Sequence, residues 1–179
     1  MIPTLLSTNT ADSDSGLAIT SNIDGDYDEY MLVMTDIHPE TDNNAFTFQA
    51  STNGGSSYGV AVTTTLFAAH MDETGSYYGV AYAVSDDEAQ STGYQYIGAG
   101  GLGGAADESL SGIIHLFSPA NTTYVKHFLI RSQEYYVSNY TKDTYVQGYF
   151  NSTSAINALN FGMAFGGDFS GVIQLYGIS

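Results

Sequence analysis

Residues 112–150 read GIIHLFSPANTTYVKHFLIRSQEYYVSNYTKDTYVQGYF. The first six, GIIHLF, are apolar and rich in β-branched residues, and Ser118-Pro119 stops them, because proline cannot donate to a ladder. Residues 124–131 (YVKHFLIR) resume the strand pattern, so SPANTT reads as the turn of a hairpin. In residues 144–150, Tyr145, Gln147 and Tyr149 alternate with their neighbours and fall on one face. Strand, turn, strand, turn, strand at this spacing predicts an antiparallel meander. The same grammar extends outward. Residues 31–37 (MLVMTDI) are stopped by His38-Pro39, and Phe46, Phe48 and Ala50 alternate with Thr47 and Gln49. NGGSS at 53–57 predicts a hairpin returning through 58–66, since Asn-Gly accepts positive φ. Residues 77–84, 94–97, 158–165 and 172–178 read as further strands. TLFAAHMDE (65–73) is the nearest helical candidate, at most two turns long. The expected fold is all-β: an antiparallel, jelly-roll-like β-sandwich of about nine or ten strands. Residues 1–22 are expected to be an N-terminal arm or edge strand, and 23–179 one sandwich domain.

Composition bounds the function. Of nineteen carboxylates, sixteen lie between Asp12 and Glu108, a stretch without a single Lys or Arg. From Ser109 onward three basic residues (Lys126, Arg131, Lys142) balance three acidic ones. A net charge of −16 opposes nucleic-acid binding, which needs a basic surface. It equally opposes docking on an anionic membrane, and no apolar run reaches the length of a span. Charged residues make up 12% of the chain, against roughly 25% in an average domain. With 43% hydrophobic residues the chain is nevertheless no disordered acidic tail. Without cysteine, disulfides and thiolate chemistry are excluded. The start, MIPTLLSTNT, lacks the basic and apolar regions of a signal peptide.

Short motifs offer little chemistry. Gly55-Ser56-Ser57-Tyr58-Gly59 fits G-x-S-x-G, yet precedes a strand where a nucleophile elbow needs a helix. Gly98, Gly100 and Gly103 fit G-x-G-x-x-G, yet AADESLSG is too short and broken for the helix that would meet a pyrophosphate. No catalytic residue is expected. Asp24, Asp26 and Asp28 place hard oxygens at D-x-D-x-D spacing, a calcium candidate. The EF-hand rule fails at Glu29 and Thr35, where it needs Gly and Glu. No other cofactor is expected. Exposed tyrosine combines apolar area, few rotors and a hydroxyl. Tyr77, Tyr78, Tyr94 and Tyr96 are therefore candidate ligand or glycan contacts. Tyr135, Tyr136 and Tyr140, with Lys126, Arg131 and Lys142, form a candidate protein interface. The acidic loops would face outward.

Two segments resemble a pattern in small tailed-bacteriophage virion proteins of jelly-roll type. At the front the matching residues are Ile23, Tyr27, Tyr30, Ile37, Pro39, Phe46, Phe48, Ser51, Gly54, Gly55 and Ser56. At the back they are Gly112, Ile114 and Pro119, then Gly171, Ile173, Leu175, Tyr176, Gly177 and Ile178 in the terminal G-x-I-x-L-Y-G-I. The resemblance implies a non-enzymatic virion structural protein. The expected role is an external capsid decoration (cement) protein: a homotrimer on the particle exterior, contacting its own copies and the major capsid protein. The 1–22 arm and the tyrosine-rich loops would make those contacts. The alternative role is a tail-fibre or receptor/glycan-binding tip.

Overall fold

The computed structural model describes residues 2–179, an all-β antiparallel sandwich of two sheets. In chain order the strands are β1 (Thr4–Asp14), β2 (Leu17–Ile19), β3 (Glu29–Pro39), β4 (Phe46–Ser51), β5 (Val62–Asp72), β6 (Tyr78–Tyr82), β7 (Ala89–Ser91), β8 (Gln95–Tyr96), β9 (Leu110–Phe117), β10 (Lys126–Tyr136), β11 (Tyr140–Phe150), β12 (Ala158–Met163) and β13 (Phe169–Ile178). Of these thirteen, ten have five residues or more, in line with the nine or ten expected. The larger sheet runs β1-β13-β3-β9-β10-β11-β5-β6, with β7 also on β5; the smaller runs β2-β12-β4-β8. The chain changes sheet after β1, β2, β3, β4, β7, β8, β11 and β12, which gives the sandwich its jelly-roll-like course.

The central meander forms as its sequence dictates. β9 and β10 pair Leu116 with Phe128, and β10 and β11 stay in register over all eleven residues of each. Period-2 alternation turns Ile114, Leu116, Phe128, Ile130, Val146 and Phe150 inward. Phe48 of the smaller sheet meets Phe128, Phe150 and Phe161 at centroid distances of 5.4, 6.1 and 6.3 Å, and Phe46 meets Phe161 and Phe169. These rings join the two sheets.

Residues 2–22 are built into the sandwich; Met1 alone lies outside the described residues. β1 is the edge strand beside β13, and β2 pairs with β12, so the segment opens both sheets. The two segments that carry the virion resemblance meet here. β3 pairs with β13, Tyr30 stands opposite Gly177, and the Tyr27 ring fills the space a side chain at Gly177 would need. Ile23, Tyr30, Ile37, Phe46, Phe48, Ile173 and Leu175 are all buried. The resemblance therefore reads the core, and says more about fold than about role.

Two local expectations are corrected. NGGSS is not a hairpin turn: β4 and β5 lie in different sheets. Both edges of β4 are taken by β12 and β8, leaving nowhere for a return strand. The turn is tied locally instead: Ser51 Oγ accepts the N–H groups of Asn53 and Gly55, and Asn53 Oδ1 accepts that of Ser57. TLFAAHMDE is strand, not helix. It lies in β5 but for Glu73, just past its end, and an eleven-residue ladder to β11 overrides the modest helix propensity of Leu and Ala.

Because Phe48 joins the sheets, Phe48→Ala should cost roughly 3–5 kcal/mol in denaturant unfolding. Phe165→Ala, at an exposed turn, should stay within about 0.5 kcal/mol. Equal effects would contradict this assignment of the core.

Candidate functional site

β10 lies between β9 and β11 and presents two chemically different faces. Lys126, Phe128, Ile130, Ser132 and Glu134 point inward and are buried; His127, Leu129, Arg131 and Gln133 point outward and are exposed. The outward face is organised by register. One cross-strand row runs Val33 (β3), Ile113 (β9), Arg131 (β10), Tyr145 (β11), Phe67 (β5), Tyr82 (β6). A second runs Tyr176, Met31, His115, Leu129, Gln147, Thr65. At the ~4.8 Å spacing of strands each row spans roughly 24 Å. Phe67 and Tyr145 stack at 4.9 Å, and the Arg131 guanidinium stands 5.1 Å from the Tyr145 centroid. Arg131 also donates two hydrogen bonds to Asp143, at 3.1 and 2.8 Å. That bonding holds the Asp143 carboxyl below the usual range. His115 Nδ1 lies 2.5 Å from Glu29 Oε1. The charged groups of these rows are thus compensated on the sheet itself, while eleven of the sixteen front carboxylates sit in turns and loops. Two shallow depressions, of about 310 and 280 Å³, flank Leu129 and Gln147.

Behind this face lies a buried polar cluster. Glu134 and Lys142 are directly opposite across β10 and β11, both inward. The Glu134 carboxylate is fully buried, and its oxygens have no hydrogen-bond donor among the described residues; Lys142 Nζ stands 3.8 Å away. Burial pushes the Glu134 carboxyl up to about 7, against the pull of Lys142 and with a contribution from Asp86. Lys142 Nζ donates to the carbonyls of Ala99 and Gly100 at 3.1 and 2.7 Å and lies 4.0 Å from the Tyr136 centroid. Burial lowers its pKa, opposed by Glu134 and Asp86. The glycine-rich loop is pressed onto this cluster. A Cβ at Gly98 would strike the Glu134 carboxylate, and one at Gly101 the Tyr136 ring. Glycine serves here for close approach, so the G-x-G-x-x-G pattern is a packing device.

The predicted site residues separate accordingly. Arg131 is exposed on the open face. Lys126 and Lys142 are not surface contacts. Lys126 is 1% exposed and donates to the carbonyls of Tyr124 and Ser152, and Lys142 is the loop clamp just described. Their long stems fill inward positions of β10 and β11 while the ammonium groups meet carbonyls at the strand ends. Tyr136 and Tyr140 stack at 4.2 Å and are half-buried around Lys142, so they too are largely internal. Tyr135 donates to Glu73 at 2.6 Å, which raises its pKa to about 12. Of the glycan candidates, Tyr77, Tyr78 and Tyr94 are exposed; Tyr77 stacks on His70 at 4.4 Å, and Tyr96 packs against the core. Asp24, Asp26 and Asp28 do not converge. Asp24 Oδ1 accepts from Tyr30 Oη and from the Asp26 N–H, and no cluster of three or more potential metal ligands occurs among the described residues. Ser57 Oγ accepts a hydrogen bond from the Asn53 side chain within the turn.

No protein-family model and no curated protein matches the chain. Among solved structures it is similar to a legume lectin-like domain from Entamoeba histolytica, at 8% identity and a TM-score of 0.40, over 96% of this chain and 84% of that one. An exo-inulinase from Aspergillus awamori is similar at 11% identity and a TM-score of 0.20, over 98% and 29% of the two chains. A Crh5 transglycosylase in complex with NAG is similar at 8% identity and a TM-score of 0.24, over 96% and 73%. Likenesses this weak carry no inference about ligand or activity.

Sequence reasoning missed Phe67, Ile113, Leu129 and Tyr145 as one surface, and Glu134 as a buried acid. Glu134 and Lys126 share the parity of Phe128 and Ile130, but Val125 and Leu129 lie on the other parity, so the pattern alone did not mark the two charges as buried.

A carboxyl held above its ordinary value of 4.5 favours the folded state while it stays protonated. That advantage is lost as pH rises from there through about 7, because the unfolded chain ionises first. Glu134→Gln should therefore gain stability relative to the parent between pH 5 and pH 8, on the order of 1–3 kcal/mol. A difference independent of pH in denaturant titrations would contradict the buried, raised carboxyl. Separately, Gly98→Ala should cost roughly 1–3 kcal/mol by overpacking. A Gly98→Ala protein as stable as the parent would contradict the close approach to Glu134.

Proposed function

We propose that the protein is a non-enzymatic structural component of a tailed-bacteriophage particle: an external capsid decoration protein, assembled as a homotrimer. In this reading the outer face of the nine-stranded sheet seats on the major capsid protein. The observation that carries it is the row Val33, Ile113, Arg131, Tyr145, Phe67, Tyr82. It makes a broad face of large side chains with compensated charge, on a molecule whose net charge is −16. Exposed apolar area of this kind, rich in aromatics and Arg, is the composition of protein interfaces. The acidic turns then point to solvent, where mutual repulsion keeps particles apart. The virion resemblance supplies the class of particle.

A second reading, a tail-fibre or receptor-binding tip, is favoured by one feature. Tyr77 and Tyr78 project at the turn between β5 and β6, more than half exposed.

Particles assembled without the protein test the choice. Added purified protein should bind shells saturably, and Arg131→Glu or Tyr145→Ala should weaken binding about tenfold, the scale of one contact of ~1.4 kcal/mol. Binding to isolated tails but not to shells would overturn the decoration role.

A further inference from the structure

At one end of β9 and β10 lies an open pocket of about 610 Å³, within the range of small-molecule sites. We propose that this pocket binds one ring of a neutral sugar, an activity separate from shell attachment.

The chemistry of the lining selects the ligand. Phe117, His127 and Tyr124 supply flat aromatic surface; Asn121, Thr123 and Thr153 supply hydroxyl and amide groups. The pocket contains no Asp, Glu, Lys or Arg. A cationic ligand finds no carboxylate there. An anionic one finds no exposed cation and must approach a chain of charge −16. A pyranose answers both halves of the wall, with an apolar C–H face for the rings and a rim of hydroxyls for the polar groups. Tyr124, 70% exposed at the rim, is the central contact.

The pocket is also pre-organised. Lys126, buried beneath it, donates to the carbonyls of Tyr124 and Ser152 at 3.3 and 3.1 Å, tying the 123–125 wall to the 152–153 wall. Asn121 Oδ1 accepts the N–H groups of Thr123 and Tyr124 at 2.7 and 2.9 Å, which leaves its amide N–H groups free to donate to a ligand. The Ser118 N–H is held by the carbonyl of Asp28 at 2.6 Å. A site with fixed walls spends little of its binding free energy on ordering.

The test is NMR titration of the full chain with glucose, galactose, mannose, N-acetylglucosamine and their short oligomers, with glucuronic and sialic acids as charged comparators. The expected result is saturable binding of at least one neutral sugar with a dissociation constant of ~1 mM or below. Shifts should centre on Phe117, Tyr124, His127 and Thr153. Tyr124→Ala should weaken binding at least about tenfold, the loss of one good contact. Thr153→Tyr, which fills the pocket, should abolish it, both variants keeping the parent's unfolding midpoint. Binding unchanged in both variants, binding of the charged sugars alone, or no neutral sugar bound would each overturn the proposal. Shell binding measured on the same variants is expected to be unchanged, which keeps the two activities distinguishable.

Discussion

The two-residue alternation of β10, locked between β9 and β11, is the constraint on which the rest of the molecule depends. Pairing over the full length of β10 with β11 leaves no freedom of register, because a slip of one residue would exchange every inward for every outward side chain. Once fixed, it places Phe128 and Ile130 against Phe48 and Phe150 in the core. It also commits Lys126 and Glu134 to the interior and turns Leu129 and Arg131 to the open face.

Burying charge at both ends of one core strand is costly unless each group finds partners. The loops around β10 answer that demand. Lys126 is met by two carbonyls at one end. At the other, Lys142 faces Glu134 and draws two carbonyls of the glycine-rich loop over itself, with Tyr136 beneath. Glu134 keeps oxygens without a hydrogen-bond donor among the described residues, and burial pushes its carboxyl above the usual carboxylate range. With Lys126 and Lys142 engaged inside, Arg131 is the one Lys or Arg side chain left to the outer face.

How much of this was legible in the sequence depends on what each signal measures. Alternation with proline stops identified the meander from residues 112–150, and with it the sandwich. NGGSS was misread because the same local turn serves a chain that returns and a chain that crosses between sheets; only the occupied edges of β4 decide. TLFAAHMDE was misread because propensity is a weak prior against an eleven-residue ladder. Lys126 and Lys142 were assigned to the surface on charge alone. In YVKHFLIRSQE the period is clear, but polar and apolar residues occur on both parities, so the period does not say which parity faces in. The outer rows were invisible for a different reason: each joins residues from six strands scattered over the chain, and register alone brings them together.

In the proposed reading the smaller sheet and the inner faces supply stability, the acidic turns face solvent, and the outer face of the larger sheet, its charges compensated on the sheet, serves as the contact surface. Hydroxyl-radical footprinting of the protein free and on assembled particles tests that claim most directly. The account predicts protection concentrated at Phe67, Ile113, Leu129 and Tyr145, with Tyr78 and Phe165 as reactive as in the free protein. Protection confined to the β5–β6 turn or to β1, with those four residues still reactive, would contradict it.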